Sequence, residues 1–167
     1  MKIQGKTIKL GDNINTDFII SGRYKFSITD ITELAKHLME DIDPNFCSRI
    51  TPGQSILVAG RNFGMGSSRE QAPLVIKKAG ITVVLAKQFA RIFFRNAFNI
   101  GLPVIETDTD QIDDGDILDI NLDKGIIKNL TRKRELKAHP VPVFMQALLH
   151  AGGVVQYLQK HKKLPDV

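Results

Sequence analysis

Between Gly60 and Pro73 the chain reads GRNFGMGSSREQAP, and within it Ser67, Ser68 and Arg69 are the residues best suited to act on a small acid. Arg69 supplies a rigid fork of donors that matches a carboxylate, and the two serines add hydroxyls beside it. Gly64 and Gly66 open positive φ to the backbone and allow a ligand to come close. A helix opening at the serines would turn its unpaired first N–H groups toward the same ligand. The segment is not a P-loop, because no lysine follows the glycines, and Arg69 stands where a dinucleotide fingerprint needs its third glycine. G-x-S-x-G, the esterase elbow, is also absent. A capping serine and a surface arginine would account for each residue singly, but not for the whole set at a strand-to-helix junction.

The flanking pattern supplies that junction. Ser55–Ala59 is a continuous apolar run that reads as a buried strand, and a helix is expected from the serines to about Ala79, with Gly80 as its stop. Ile81–Ala86 reads as a second buried strand, so the three pieces form a parallel βαβ unit. Upstream, Lys2–Leu10 alternates as a strand, and Asp17 falls on a loop entering a second strand, the short apolar run Phe18–Ile20. Asp30 begins a capping box, D-I-T-E, followed by Ile31, Leu34, Ala35, Leu38 and Met39 at helical spacing. Phe89–Ile100 carries an apolar helical stripe stopped by Gly101, with Arg91, Arg95, Asn96 and Asn99 as polar members read as solvated. Leu102–Glu106 is a short strand, Ile117–Ile127 an antiparallel hairpin, and a last helix from Val143 breaks at Gly152-Gly153 and resumes to His161. The fold class is α/β with mixed parallel and antiparallel strands and flanking helices, arranged as one domain over 1–167.

Bulk properties narrow the function. The chain has 167 residues, 43% hydrophobic and 25% charged, enough for one packed core. No apolar run is long enough to cross a bilayer and the start lacks a secretory stretch, so a cytoplasmic protein without membrane contact is expected. The net charge of +5 is scattered except at Arg132–Arg134 and Lys160–Lys163. Neither cluster is interleaved with aromatics, so both read as solvated faces and nucleic acid is not expected as a partner. Cys47 is the single cysteine; it cannot hold a metal cluster alone and reads as a small, partly buried side chain. The four histidines read as surface residues.

Three segments, GDNINTDFIISGRY (11–24), GRNFGMGSSREQAP (60–73) and AKQFARIFFRNAFNIGLP (86–103), give the chain a resemblance to the small subunits of the aconitase-like isomerases, the isopropylmalate dehydratase group in particular. The likeness runs over nearly the whole chain, in order and at the expected spacing. It implies the swivelling β/β/α domain of aconitase. It also implies a large subunit that carries a [4Fe–4S] cluster on its own cysteines, with no metal or cofactor bound by this chain. By motif position Ser67 would be the base that removes a carbon-bound proton, and Ser68 and Arg69 would hold a substrate carboxylate. Asp17 would orient groups across the cleft. A serine hydroxyl is a weak base near neutrality and would need activation by a helix N-terminus and by Arg69. The reaction implied is dehydration of a small hydroxy di-acid and rehydration at the neighbouring carbon, performed with the large subunit.

Substrate choice is read from the loop after Tyr24. Homoaconitase-type members look like YLRT there, whereas this chain has Tyr24-Lys25-Phe26-Ser27. Phe26 in place of the arginine favours an apolar substituent such as isopropyl over a third carboxylate. Lys25 could restore a charge partner, and a dimethylmalate or methylmalate would also suit an apolar loop. Met65 and Gln71 stand where cysteine and histidine are frequent in the family, and Gln71 supplies no titrating proton. The contrasting expectation is a stand-alone anion-binding or regulatory module, which would bind without a partner and with strong salt dependence.

Overall fold

The structure is a computed structural model and describes residues 1–165. The side chain of Lys25 lies outside the described residues. In chain order the elements are β1 (Lys2–Lys9), α1 (Thr16–Ile19), α2 (Gly22–Lys25), α3 (Ile31–Ala35), β2 (Ser55–Ala59), α4 (Gln71–Lys78), β3 (Ile81–Ala86), α5 (Arg91–Asn99) and β4 (Val104–Glu106). They continue with β5 (Ile117–Asn121), β6 (Ile126–Asn129), β7 (Arg134–Lys137), α6 (Val143–Ala151) and α7 (Val154–His161).

Among the described residues one seven-stranded sheet runs in the order β4-β3-β2-β1-β5-β6-β7. Its first four strands are parallel neighbours, and from β1 to β7 each pair is antiparallel. The change of sense falls at β1. Strands β2 and β3 are buried almost throughout, as their unbroken apolar runs require, with Ile56, Leu57, Val58, Val83, Val84 and Leu85 fully covered. β5 instead alternates, with Leu118 and Ile120 inward and Ile117 exposed, which is the pattern of a sheet wet on one face. The expected βαβ unit is β2-α4-β3.

Several expectations change in the structure. The Phe18–Ile20 run is not a strand: Asn15 caps a single helical turn by accepting from the Asp17 N–H (2.9 Å), so Asp17 lies in that turn. The capping residue Asp30 accepts from the N–H groups of Thr32 and Glu33 at 2.8 and 2.9 Å, but α3 ends at Ala35. Met39 takes φ +56, so the chain turns at that point, while Leu38 and Met39 still reach the core. Arg132 is not simply solvated, because its Nε donates to the buried Asp116 carboxylate at 3.1 Å. Arg134 opens β7, a strand the sequence does not announce. His37 is also not a plain surface residue. Its ring stacks on Tyr24 at 3.8 Å and bonds Glu40 at 2.6 Å, while the Tyr24 hydroxyl donates to the same carboxylate at 2.9 Å. These bonds, from His37 first and then Tyr24, hold the Glu40 carboxyl below its ordinary range, and the Glu40 contact pushes the Tyr24 hydroxyl up.

Cys47 is half-buried against main-chain carbonyls, Lys36 at 3.3 Å, and burial pushes its thiol up. Lys77 at the end of α4 donates to the carbonyls of Ile100 (2.5 Å) and Gly152 (3.1 Å), tying α4 to the ends of α5 and α6, and its burial lowers its pKa.

The Asp30 carboxyl is held below its ordinary value of 3.8, chiefly by the Glu33 N–H. A lowered folded value means that the stability it adds is complete above 3.8 and is lost as pH falls through the lower value. Asp30→Ala is therefore expected to lower Tm at neutral pH, with the gap to the parent chain closing in acid; melting curves from pH 7 downward check it.

Candidate active site

The backbone around Ser67 is set by a ladder that prolongs the parallel pairing of β1 and β2 past the strand ends. The Gly60 N–H donates to the Gly11 carbonyl (3.1 Å), Asn13 to Arg61 (2.8 Å), Gly64 to Ile14 (2.8 Å) and Thr16 to Met65 (2.8 Å). Side chains reinforce it. The Asp12 carboxylate accepts from the Arg61 N–H at 2.7 Å, the Asn62 amide donates to the Asn13 side chain at 2.8 Å, and the Thr16 hydroxyl donates to the Ser67 carbonyl at 2.9 Å. The third segment joins from the other side, where the Phe63 N–H donates to Gln88 (3.0 Å) and the Ala90 N–H to Phe63 (2.9 Å). All three motifs marked in the sequence thus meet at one point.

Below the turn lies an aromatic floor: Phe63 meets Phe89 and Phe93 edge-on, with ring centres 5.8 and 5.1 Å away. This explains the two glycines. Both have positive φ, +78 at Gly64 and +93 at Gly66. A Cβ on Gly64 would lie 2.3 Å from the Phe93 ring, and one on Gly66 would lie 2.5 Å from the Asn15 side chain. In this chain the close approach that demands glycine is therefore to the protein's own α5 and to the cap of α1.

Ser67, Ser68 and Arg69 line one wall of a cavity of about 320 Å³, with Thr16, Gly64 and Gly66 behind them. The rest of the lining is the start of α5, Ala90 to Phe93, with Asn96. Both serines are exposed, and Arg69 is only 12% exposed. One terminal nitrogen of Arg69 pairs with Asp17, the other donates to the Ile20 carbonyl at 3.0 Å, and its Nε is buried without a partner. Asp17 therefore grips the arginine of its own chain.

The helix start facing the serines differs from the one the sequence suggests. α4 begins at Gln71, four residues after Ser67, so the serines sit in irregular backbone ahead of it, with a bend at Ser67. The nine-residue α5 opens onto the cavity instead, and its cap residue Ala90 offers no side-chain acceptor to the first N–H groups. Arg91 and Asn96, read from sequence as solvated, belong to this wall. Only an i, i+5 pair at a helix start would have signalled it, and that is a weak signal. Phe26 is 87% exposed and lies outside the cavity lining, as does Tyr24. A larger depression, about 930 Å³, lies instead past the ends of β2, β3 and β4, lined by Arg61, Lys87, Glu106 and Asp108 among others. It contains none of the serines.

Comparison with known proteins follows the same lines. The aconitase C-terminal domain family matches residues 16–110. The 3-isopropylmalate dehydratase small subunit 2 of Archaeoglobus fulgidus is 53% identical over 96% of this chain and 97% of its own. The 3-isopropylmalate dehydratase small subunit of Thermodesulfovibrio yellowstonii is 52% identical over 100% of this chain and 99% of its own. The crystal structure of 3-isopropylmalate dehydratase from Methanocaldococcus jannaschii superposes with a TM-score of 0.92 at 48% identity, covering 97% of this chain and 96% of that one. With its mixed sheet and flanking helices, this chain belongs to the family of 3-isopropylmalate dehydratase small subunits, built on the aconitase C-terminal domain.

Proposed function

We propose that this chain, acting in the cytoplasm as one swivel domain of an assembled hydro-lyase, interconverts 2-isopropylmalate and 3-isopropylmalate for leucine biosynthesis. Membership of a dehydratase small-subunit family implies a large-subunit partner. The observation that carries the reading is the set of Ser67, Ser68 and Arg69 on one wall of a cavity whose 320 Å³ suits a small di-acid.

The residues of this chain do not fit an iron–sulfur cluster. Cys47 faces main-chain carbonyls, and among the described residues no group of three His, Cys, Asp or Glu side chains could hold a metal. A [4Fe–4S] cluster would be held by the large subunit, where it would supply a Lewis acid for the substrate hydroxyl. What this chain contributes is position and proton transfer. Ser67 takes the carbon-bound proton, and its alkoxide is favoured by the positive field of Arg69 and of the α5 start. Ser68 and Arg69 bind a carboxylate, while Asp17 and the Ile20 carbonyl keep the guanidinium from turning away. Phe26 and Lys25 meet the variable group of the substrate when the partner closes over the site, with Tyr24 anchored through Glu40. The phenylalanine then disfavours a third carboxylate.

Anaerobic reconstitution with the large subunit tests this directly: turnover of 2-isopropylmalate is expected, with homocitrate and citrate far slower, and equal rates on all three would remove the Phe26 reading. Ser67→Ala should lower kcat by about a thousandfold or more while the two subunits still co-elute. Full-rate turnover by that variant would remove the proposed base. Asp17→Asn should raise KM about tenfold with a smaller effect on kcat, because Arg69 loses its anchoring carboxylate. Steady-state kinetics on the complex distinguish these outcomes.

A further inference from the structure

The charge balance of the cavity points to a residue the serine wall does not supply. Arg69 is paired with Asp17, so that wall is formally neutral, whereas a di-acid brings two negative charges. The other cation on the cavity is Arg91, the first residue of α5. It is exposed, and among the described residues it has no ion pair or hydrogen-bond acceptor for its guanidinium. Asn96, half-buried on the same wall, likewise has an amide with no partner in the chain among the described residues. Arg95, also on α5, is not part of the lining.

We propose that Arg91 binds the second carboxylate of the di-acid from the α5 part of the cavity lined by Ser68 and Arg69, with the Asn96 amide donating to an oxygen of the same substrate; this rests on the di-acid reading above. The two carboxylates are then held by two different segments of the chain, which limits how the di-acid can turn in the cavity. A guanidinium without an internal partner gives up no existing ion pair when substrate arrives, whereas Arg69 must share its fork with Asp17.

The test is calorimetric binding to the complex of both subunits, so that it reads affinity whether or not turnover occurs. Two ligands are compared: 2-isopropylmalate, and 2-hydroxy-2,3-dimethylbutanoate, which keeps the hydroxyl and isopropyl groups but has one carboxylate. Arg91→Gln should weaken the di-acid by about ten- to hundredfold and the mono-acid by less than about twofold, with Arg91→Lys recovering part of the loss. Asn96→Ala should cost about two- to tenfold. Unchanged di-acid affinity in Arg91→Gln overturns the proposal, and so does an equal loss for both ligands, which would make Arg91 a general source of positive field. Malate titrated in parallel reads the Arg91 contribution for a plain di-acid. If the parent complex fails on 2-isopropylmalate but Arg91→Gln still loses malate, the substrate assignment is at fault and the Arg91 assignment stands.

Discussion

The position of the candidate base depends on hydrogen bonds between two loops, those leaving β1 and β2. Peptide groups of residues 11–16 and 60–65 pair in register, so the two loops behave as an extension of the sheet. Surface loops of this length are usually the most mobile part of a fold. Here the Ser67 carbonyl is tied to the Thr16 hydroxyl, and the whole turn rests on the Phe63–Phe93 floor. Glycine is required at 64 and 66 by that packing, since any side chain there would collide with Phe93 or Asn15.

The electrostatics of the cavity follow from the same ladder. Because Thr16 is bound to Met65 and Ser67, the helical turn that starts at Thr16 brings Asp17 up to Arg69. The guanidinium is thereby buried and oriented within a single chain. Burying an arginine without a partner would be costly, and Asp17 and the Ile20 carbonyl offset part of that cost. Positive field at the cavity then comes from two segments that line it, a shielded guanidinium and an uncapped helix start.

Much of this was legible in the residues. β2, β3, α5, the hairpin and the interrupted C-terminal helix follow from apolar runs, helical stripes and glycines that local physics reads well. Ser67, Ser68 and Arg69 were legible because a strand, a glycine turn and polar groups stand together. The failures share a cause, which is that long-range contacts decide them. Phe18–Ile20 is apolar enough for a strand, yet the Asn15 cap and the Met65 pairing make it a turn of helix. β7 is assembled by pairing with β6 rather than by its own charged sequence. The helix facing the serines lies about twenty residues beyond the one that follows them, and adjacency in sequence concealed the exchange.

A turn stitched at every step to strand ends has no hinge of its own. Anything that displaces this end of the sheet displaces the Ser67 backbone with it, because its carbonyl is held by Thr16 and the loops pair as the strands do.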